Sequence, residues 1–201
     1  MITYTYRSAQ ILSFLYFRTF HKLVINGLGN VPSSGGFILA SNHLSFLDPP
    51  LVGCKVNRNL HYFARDSLFK GPLGFLIKRL NSIPVNRGHL DLGTLKHTLR
   101  VLKQGDPLLV FPEGTRSFDG EMRSFKDGAF VLAIRTQTPM LPVVVHGTRS
   151  ALRKSDWRMG DAKAEVRVLE IIETTGMTLN DVPALRDRVR DAMIAEIAKM
   201  R

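Results

Sequence analysis

The chain's 201 residues suit one domain with a sizeable core, since 44% are hydrophobic and 22% are charged. With 28 Lys and Arg against 17 Asp and Glu, the net charge of +11 indicates an anionic partner, such as lipid head groups, a phosphorylated substrate, an acidic carrier protein or nucleic acid. The chain has a single cysteine, Cys54, which we expect in the core. One cysteine cannot form an internal disulfide or a cysteine-rich metal site.

An aromatic-rich segment opens the chain. Its apolar run, Ile11–Phe17, is interrupted by Arg18, His21 and Lys22 well short of the roughly 18 residues that a membrane span requires. Tyrosines with flanking cations favour the membrane–water interface, so the segment fits an interfacial helix. A helix packed on the domain's own core explains the pattern equally well. Without a full span, we predict a peripheral or monotopic protein at the cytoplasmic face of a membrane.

The first predicted strand, Phe37–Ala40, leads into a polar stretch that runs from Ser41 to Pro50. Ligands of α/β sheets bind beyond the carboxyl ends of the strands, so this stretch is a candidate site. A loop can bring His43 and Asp48 together, so that Asp48 accepts from one imidazole nitrogen and leaves the other free as a base. The alternative is that Asp48, which precedes Pro49, caps the next helix.

The excess charge is concentrated between Lys55 and Lys103, where ten Lys or Arg accompany only two acids. A nucleic-acid partner is supported only by this charge. Because the sequence contains no nucleic-acid-binding motif, we predict that nucleic acid is not a partner. Within this part the predicted strand Ser82–Val85 ends in Asn86 and Arg87. Arg87 is therefore a candidate phosphate ligand, although a solvated surface charge explains it as well.

The most informative stretch, FPEGTRS, covers Phe111 to Ser117. Its first residue, Phe111, is also the last residue of the predicted apolar strand Leu108–Phe111. It joins an acid, a glycine, a hydroxyl and a guanidinium, as an anion-binding loop would. The glycine allows close approach of the backbone, and Thr115 and Arg116 supply donors in the geometry that phosphate prefers. A tight turn in which Glu113 pairs with Arg116 is the structural alternative.

Strands alternate with helices along the whole chain, which predicts a single-domain α/β sandwich with a mixed, partly parallel sheet flanked by helices. Strands are expected at 37–40, 60–64, 82–85, 108–111, 140–146 and 165–172, and helices at 49–56, 67–80, 92–104, 126–136 and 183–200. Pro142 should fit only at the start or edge of its strand, because it has no N–H for a ladder bond. Asp181 is available as the N-cap of the last helix.

Four blocks of the chain, in this order, resemble the acyltransferases of glycerolipid synthesis, the lysophosphatidic acid (1-acyl-sn-glycerol-3-phosphate) acyltransferase family. The family's NHxxxxD motif is matched by Asn42, His43 and Asp48, and its FPEGTRS motif is matched without change. The segment IPVNR resembles the second block, although many members carry an Asp before the Arg, and LPVVV resembles the fourth. The similarity runs from about Ile25 to His146. We therefore expect an amphipathic helix in residues 1–24 and an acyltransferase domain in residues 25–201.

The resemblance implies transfer of a fatty acyl group from acyl-CoA or acyl-carrier protein to the free hydroxyl of 1-acyl-glycerol-3-phosphate, giving phosphatidic acid. His43 would take the proton from that hydroxyl, and Asp48 would hold the imidazole. The implied substrate-binding residues are Asn42, Arg87, Glu113, Gly114, Thr115 and Arg116. No metal and no resident cofactor is implied, since the acyl carrier is a co-substrate.

The expected partners beyond the acyl carrier are a lysophospholipid acceptor and an anionic membrane surface, both attracted by the basic part of the chain. Close relatives acylate other lipids with the same motifs, including lyso-ornithine lipids, so another lysolipid acceptor is one alternative. The second alternative is a non-catalytic protein that binds anionic lipid or nucleic acid and merely retains the fold.

Overall fold

A mixed sheet of seven strands runs through the computed structural model, which describes residues 3–85, 92–151, 160 and 162–200. In chain order the strands are β1 (Val24–Asn26), β2 (Ile38–Ser41), β3 (His61–Arg65), β4 (Ser82–Val85), β5 (Leu108–Val110), β6 (Met140–His146) and β7 (Glu165–Val168). Their order in the sheet is β1-β7-β6-β2-β5-β3-β4, with β6 and β7 antiparallel and the other neighbours parallel. The predicted mixed, partly parallel sheet of one α/β domain is confirmed.

Helices cover both faces of this sheet. They are α1 (Tyr4–Phe20), α2 (Asp48–Gly53), α3 (Gly71–Arg79), α4 (Leu92–Lys103), α5 (Gly128–Thr136), α6 (Thr148–Ala151) and α7 (Val182–Met200). Short 3-10 turns lie at Leu28–Asn30, Asp66–Phe69 and Leu179–Asp181. Residues of α4, α5 and α7 pack on one face, and residues of α1 and α2 pack on the other.

The two cores follow from the two-residue period of a strand. Ile38 and Ala40 of β2 join the core with α4, α5 and α7, whereas Leu39 joins the core with α1 and α2. Because helices cover both faces, β2 and β5 are buried at every position, which explains their continuous apolar sequence. Cys54 lies in the second core as expected, and burial raises the pKa of its thiol to about 12.

The prediction for Pro142 is wrong, because this proline lies inside β6, a strand with neighbours on both sides. Its position explains why it is tolerated. On one side Pro142 is paired with Ala40 of β2, while on the other side β7 ends at Val168, the partner of Val143. Pro142 lies one residue beyond the last β6–β7 pair, and there its carbonyl oxygen still accepts from the N–H of Leu169 at 2.9 Å. The missing N–H therefore removes a single bond at the end of the ladder.

Several predicted boundaries shift by one to four residues, and three differences concern how an element begins or ends. The strand expected at 165–172 ends at Val168. The helix expected at 67–80 is divided into a 3-10 turn and α3 by the extended residue Lys70, and α3 then begins at Gly71, whose φ of +66° is left-handed. Asp181 does not cap the last helix. It ends the 3-10 turn before α7, where its carboxylate accepts from the N–H of Thr178 in a capping box.

The N-terminal helix α1 has two different sides. Tyr6 and Phe17 are buried against the core, as is Gln10, whose side-chain amide donates to the main-chain oxygens of Gly53 and Val56 at 2.8 and 2.7 Å. The other side exposes apolar side chains to solvent, namely Ile11, Leu12 and Leu15. Among the helices of the described residues, none combines the length and the apolar composition needed to cross a bilayer. Contact of α1 with a membrane interface stays a prediction.

Candidate active site

Three loops meet at one edge of the sheet. Strand β2 lies between β5 and β6 and is parallel to both, so the carboxyl ends of all three strands open onto the same edge. The NHxxxxD segment follows β2, the FPEGTRS segment follows β5, and Gly147 and Thr148 follow β6. The N–H of Ser117 donates to the carbonyl oxygen of His43 at 2.8 Å, which joins the first two loops directly.

His43 and Asp48 form a hydrogen-bonded pair in which Nδ1 of His43 lies 2.9 Å from Oδ2 of Asp48. With the Nδ1 proton directed at the carboxylate, Nε2 carries the lone pair that a general base needs. The Asp48 side chain is 0% exposed and that of His43 is 17% exposed, so the base reaches solvent while its partner does not. The Phe111 ring stacks on the imidazole, with ring centres 4.1 Å apart.

The Asp48 carboxylate accepts hydrogen bonds at both oxygens. Oδ2 also accepts from the main-chain N–H groups of Leu44 and Ser45, each at 2.7 Å, and Oδ1 accepts from the Thr148 hydroxyl at 2.6 Å. Helix α2 begins at Asp48 itself, and its N-cap position is Leu47, which makes no side-chain cap bond. The alternative that Asp48 is a helix cap is therefore wrong, because its carboxylate turns back to the preceding loop.

Asn42 extends the pairing of β2 with β6 beyond the end of β2. The last paired residues of the two strands are Ser41 and Val143. Two residues farther along β6, the Asn42 side chain accepts from the N–H of Val145 at 2.7 Å and donates to its carbonyl oxygen at 2.8 Å. This buried amide thus fixes the start of the loop at residues 42–47, called the histidine loop below, against β6. The prediction that Asn42 contacts substrate remains a prediction.

Glu113 links the FPEGTRS loop to its surroundings. Its carboxylate is buried, with one oxygen accepting from the N–H of His43 at 2.8 Å and the other from the N–H of Arg123 at 3.1 Å. Burial raises the pKa of Glu113 above its ordinary value, and these two N–H donors oppose that shift. The arrangement positions the main chain of His43, while the predicted contact of Glu113 with substrate stays a prediction.

The FPEGTRS loop also contains a cation, Arg116, and a glycine, Gly114. The guanidinium carbon of Arg116 lies 3.5 Å from the centre of the Phe46 ring, in cation–π geometry. Gly114 has a φ of +70°, and a Cβ added to it would lie 3.1 Å from Nζ of Lys126. The backbone conformation therefore favours glycine here, and the Lys126 side chain lies directly beside it. Thr115 is half-buried in the same loop.

Arg87 lies outside the residues that the structure describes. The strand before it, β4, forms the edge of the sheet and is separated from β2 by β3 and β5. Across the described part of the chain, no group of three or more His, Cys, Asp or Glu residues is arranged to hold a metal ion.

Two residues of this site were not predicted from the sequence, Thr148 and Lys126. Thr148 follows Asp48 by 100 residues and Lys126 lies outside the FPEGTRS motif. The rule that ligands gather at strand ends indicates Thr148, because this residue follows a predicted buried strand. For Lys126 no such signal exists, since only the fold brings its ammonium group to Gly114.

Comparison with known proteins agrees with these motifs. The model of the acyltransferase family matches residues 22–146, close to the predicted extent of similarity. The human 1-acyl-sn-glycerol-3-phosphate acyltransferase alpha is 34% identical over 181 residues, 86% of this chain and 62% of that protein, and the human beta protein is 34% identical over 165 residues, 78% of this chain and 58% of that protein. The chain thus spans less than two thirds of the length of these relatives.

A solved structure has the same fold along nearly the whole chain. The crystal structure of the 1-acyl-sn-glycerophosphate (LPA) acyltransferase PlsC from Thermotoga maritima superposes with a TM-score of 0.86 at 28% identity, covering 97% of this chain and 79% of that one. The matched family model includes the His43–Asp48 pair, the FPEGTRS loop and β6. The chain therefore belongs to the acyltransferase family.

Proposed function

We propose that the protein transfers a fatty acyl group from a thioester carrier, acyl-CoA or acyl-carrier protein, to the free hydroxyl of 1-acyl-sn-glycerol-3-phosphate, giving phosphatidic acid. The main support is the buried Asp48 carboxylate on Nδ1 of His43, at the sheet edge that also carries the FPEGTRS loop. Relatives named as 1-acyl-sn-glycerol-3-phosphate acyltransferases support the choice of acceptor.

In this reaction His43 acts first as a base and then as an acid. Nε2 takes the proton of the acceptor hydroxyl while the oxygen attacks the thioester carbonyl. The new C–O bond forms, the C–S bond breaks, and the departing thiolate recovers the proton from the imidazolium. Asp48 stabilises that imidazolium and fixes the orientation of the ring, as the acid of a hydrolase triad does, while the substrate supplies the hydroxyl.

The acceptor phosphate is assigned to the loop after β5. Arg116 offers a planar guanidinium that stacks on Phe46, and its fork of N–H donors matches the geometry of a phosphate group. Lys126 adds a second positive charge beside Gly114. Thr115 contributes a hydroxyl. Arg87 remains a predicted ligand of the same phosphate.

A membrane surface fits the exposed apolar side chains of α1 and α3. On α3 these are Leu73, Phe75 and Leu76, and the same helix ends in Lys78 and Arg79. Apolar side chains flanked by cations are typical of helices that bind at an anionic lipid interface. We therefore assign the protein to the cytoplasmic face of an anionic membrane, as a peripheral or monotopic protein that meets its lipid acceptor there.

Replacing Leu76 with aspartate should weaken binding to anionic vesicles roughly tenfold. The substitution removes an apolar contact with the lipid and adds a negative charge, which the anionic lipids repel. The measurement is sedimentation with vesicles that contain phosphatidylglycerol, at low and high salt. Leu179→Asp is the matched control, since Leu179 is 48% exposed and Leu76 is 46% exposed, but Leu179 lies beside α7. Equal binding by the two variants contradicts the assignment of α3 to the membrane surface.

Substrate profiling with the purified protein tests the proposed function. Lysophosphatidic acid should have the highest kcat/KM among acceptors that include a lyso-ornithine lipid and a monoacylglycerol, with acyl-CoA and acyl-carrier protein compared as donors. Acylation of another amphiphile with no acylation of lysophosphatidic acid would disprove the acceptor but keep the reaction. Lipid binding without transfer to any acceptor would instead support the non-catalytic alternative.

A further inference from the structure

A buried threonine contacts the acid of the His43–Asp48 pair from a distant part of the chain. The Thr148 hydroxyl donates to Oδ1 of Asp48 at 2.6 Å, and both residues are 0% exposed. Among the described residues, His43, Leu44 and Ser45 also donate to this carboxylate, each to Oδ2. Thr148 therefore contacts the other oxygen, and it does so from outside the loop that carries His43.

The backbone around Thr148 is built to place this hydroxyl. Gly147, directly before it, has a φ of +84°, and a Cβ at this position would lie 1.8 Å from the carbonyl oxygen of Lys163. Only glycine therefore allows the chain to turn from β6 into α6 at this point. The main chain of β6 is itself fixed to the histidine loop by the Asn42–Val145 bonds. Thr148 thus approaches Asp48 from just beyond the end of β6, and the position of β6 does not depend on the Thr148 hydroxyl.

We propose that Thr148 is a positioning residue for acyl transfer, an inference that rests on the proposed function. Its hydroxyl fixes the plane of the Asp48 carboxylate, so that Oδ2 stays directed at Nδ1 of His43. It also stabilises negative charge on a carboxylate that is removed from water, because a donor to a buried carboxylate favours the ionised form. The ionisable groups facing Asp48 are His43 and Glu113, and the Asp48 charge adds to the burial that raises the pKa of Glu113.

Thr148→Val tests this role, because valine keeps the shape of the side chain and removes the hydroxyl. We expect kcat to fall roughly tenfold, the usual effect of losing one hydrogen bond to a charged group, with the acceptor KM changed by less than about twofold. Thr148→Ser, which restores the hydroxyl, should recover kcat.

Thr98→Val is the matched control, since Thr98 is also buried and its hydroxyl donates to the carbonyl oxygen of Thr94 within α4, at 2.8 Å. It should leave kcat unchanged, with a melting temperature reported for each variant. Should Thr148→Val not fold, Thr148→Ala makes the same comparison. Unchanged kcat in the hydroxyl-free variant, or lower kcat with no recovery by serine, overturns the positioning role.

NMR of the His43 imidazole separates this inference from the proposed function, because it needs no substrate. Loss of the Thr148 hydroxyl should change the Nδ1–H signal, whereas Thr148→Ser and Thr98→Val should not. If the wild-type protein acylates no acceptor, the proposed function fails while the NMR comparison still tests the contact. If the protein is active and the His43 signal is the same in all variants, the positioning role alone fails.

Discussion

Replacing His43 with alanine is expected to abolish acyl transfer and to leave lipid binding intact. The imidazole is the proposed base for the acceptor hydroxyl, and removing a general base typically costs 10²- to 10⁴-fold in rate. The fold should survive, because the His43 side chain is partly exposed and the main-chain bonds of this residue, to Glu113 and Ser117, do not involve the ring.

The measurement is the rate of product formation with lysophosphatidic acid and an acyl thioester, together with vesicle binding and the melting temperature. His97→Ala is the control, since His97 is exposed on α4, outside the three loops of the site. A His43→Ala protein that keeps transfer within about threefold of wild type would refute the role of this base. If the variant loses both acyl transfer and its cooperative melting transition, the fold has been damaged.

Replacing Arg116 with alanine is expected to lower kcat/KM for lysophosphatidic acid by about 100-fold. A guanidinium bound to phosphate makes charge-assisted hydrogen bonds, and losing them costs up to about 3 kcal/mol, which corresponds to that factor. Arg116→Lys should recover only part of the loss, because an ammonium group cannot form the same planar, two-point contact. The remaining affinity is attributed to Lys126 and the loop backbone.

The comparison should use two acceptors, lysophosphatidic acid and a monoacylglycerol that lacks the phosphate. Arg116→Ala should affect the first far more than the second, because only the first has the group that Arg116 binds. Arg100→Ala is the matched control, since it removes the same charge from an exposed position on α4. Unchanged KM and unchanged kcat/KM for both acceptors would exclude Arg116 from the phosphate site.

The sequence predicts the members of this site better than it predicts their contacts. Strand ends and motifs place His43, Asp48 and Arg116 at one sheet edge, and the structure brings their loops together. Asn42 and Glu113 belong to the same motifs and were predicted to bind substrate, yet the structure shows their polar atoms bonded to main-chain groups. A motif marks a residue as part of a site, but the partner of each polar atom depends on segments that are distant in the chain.

The same limit applies to the fold. Alternating apolar strands and helices predict the α/β class, because each pattern is local. The strand β1 has only three residues, too few for a period to be recognised, and the position of Pro142 depends on where a different strand ends. The Thr148 contact with Asp48 likewise needs the placement of β6 beside β2, which pairing and crossover geometry decide.

Placing the chemistry beyond the central strand has a consequence for how such enzymes diverge. The reacting pair depends on β2, β5 and β6, whereas β3, β4 and the exposed apolar helix α3 lie toward one margin of the sheet. Mutations in that margin can change the proposed membrane-binding surface of α3 without disturbing the histidine or its acid. Affinity for membranes of different composition can therefore evolve separately from the reaction centre.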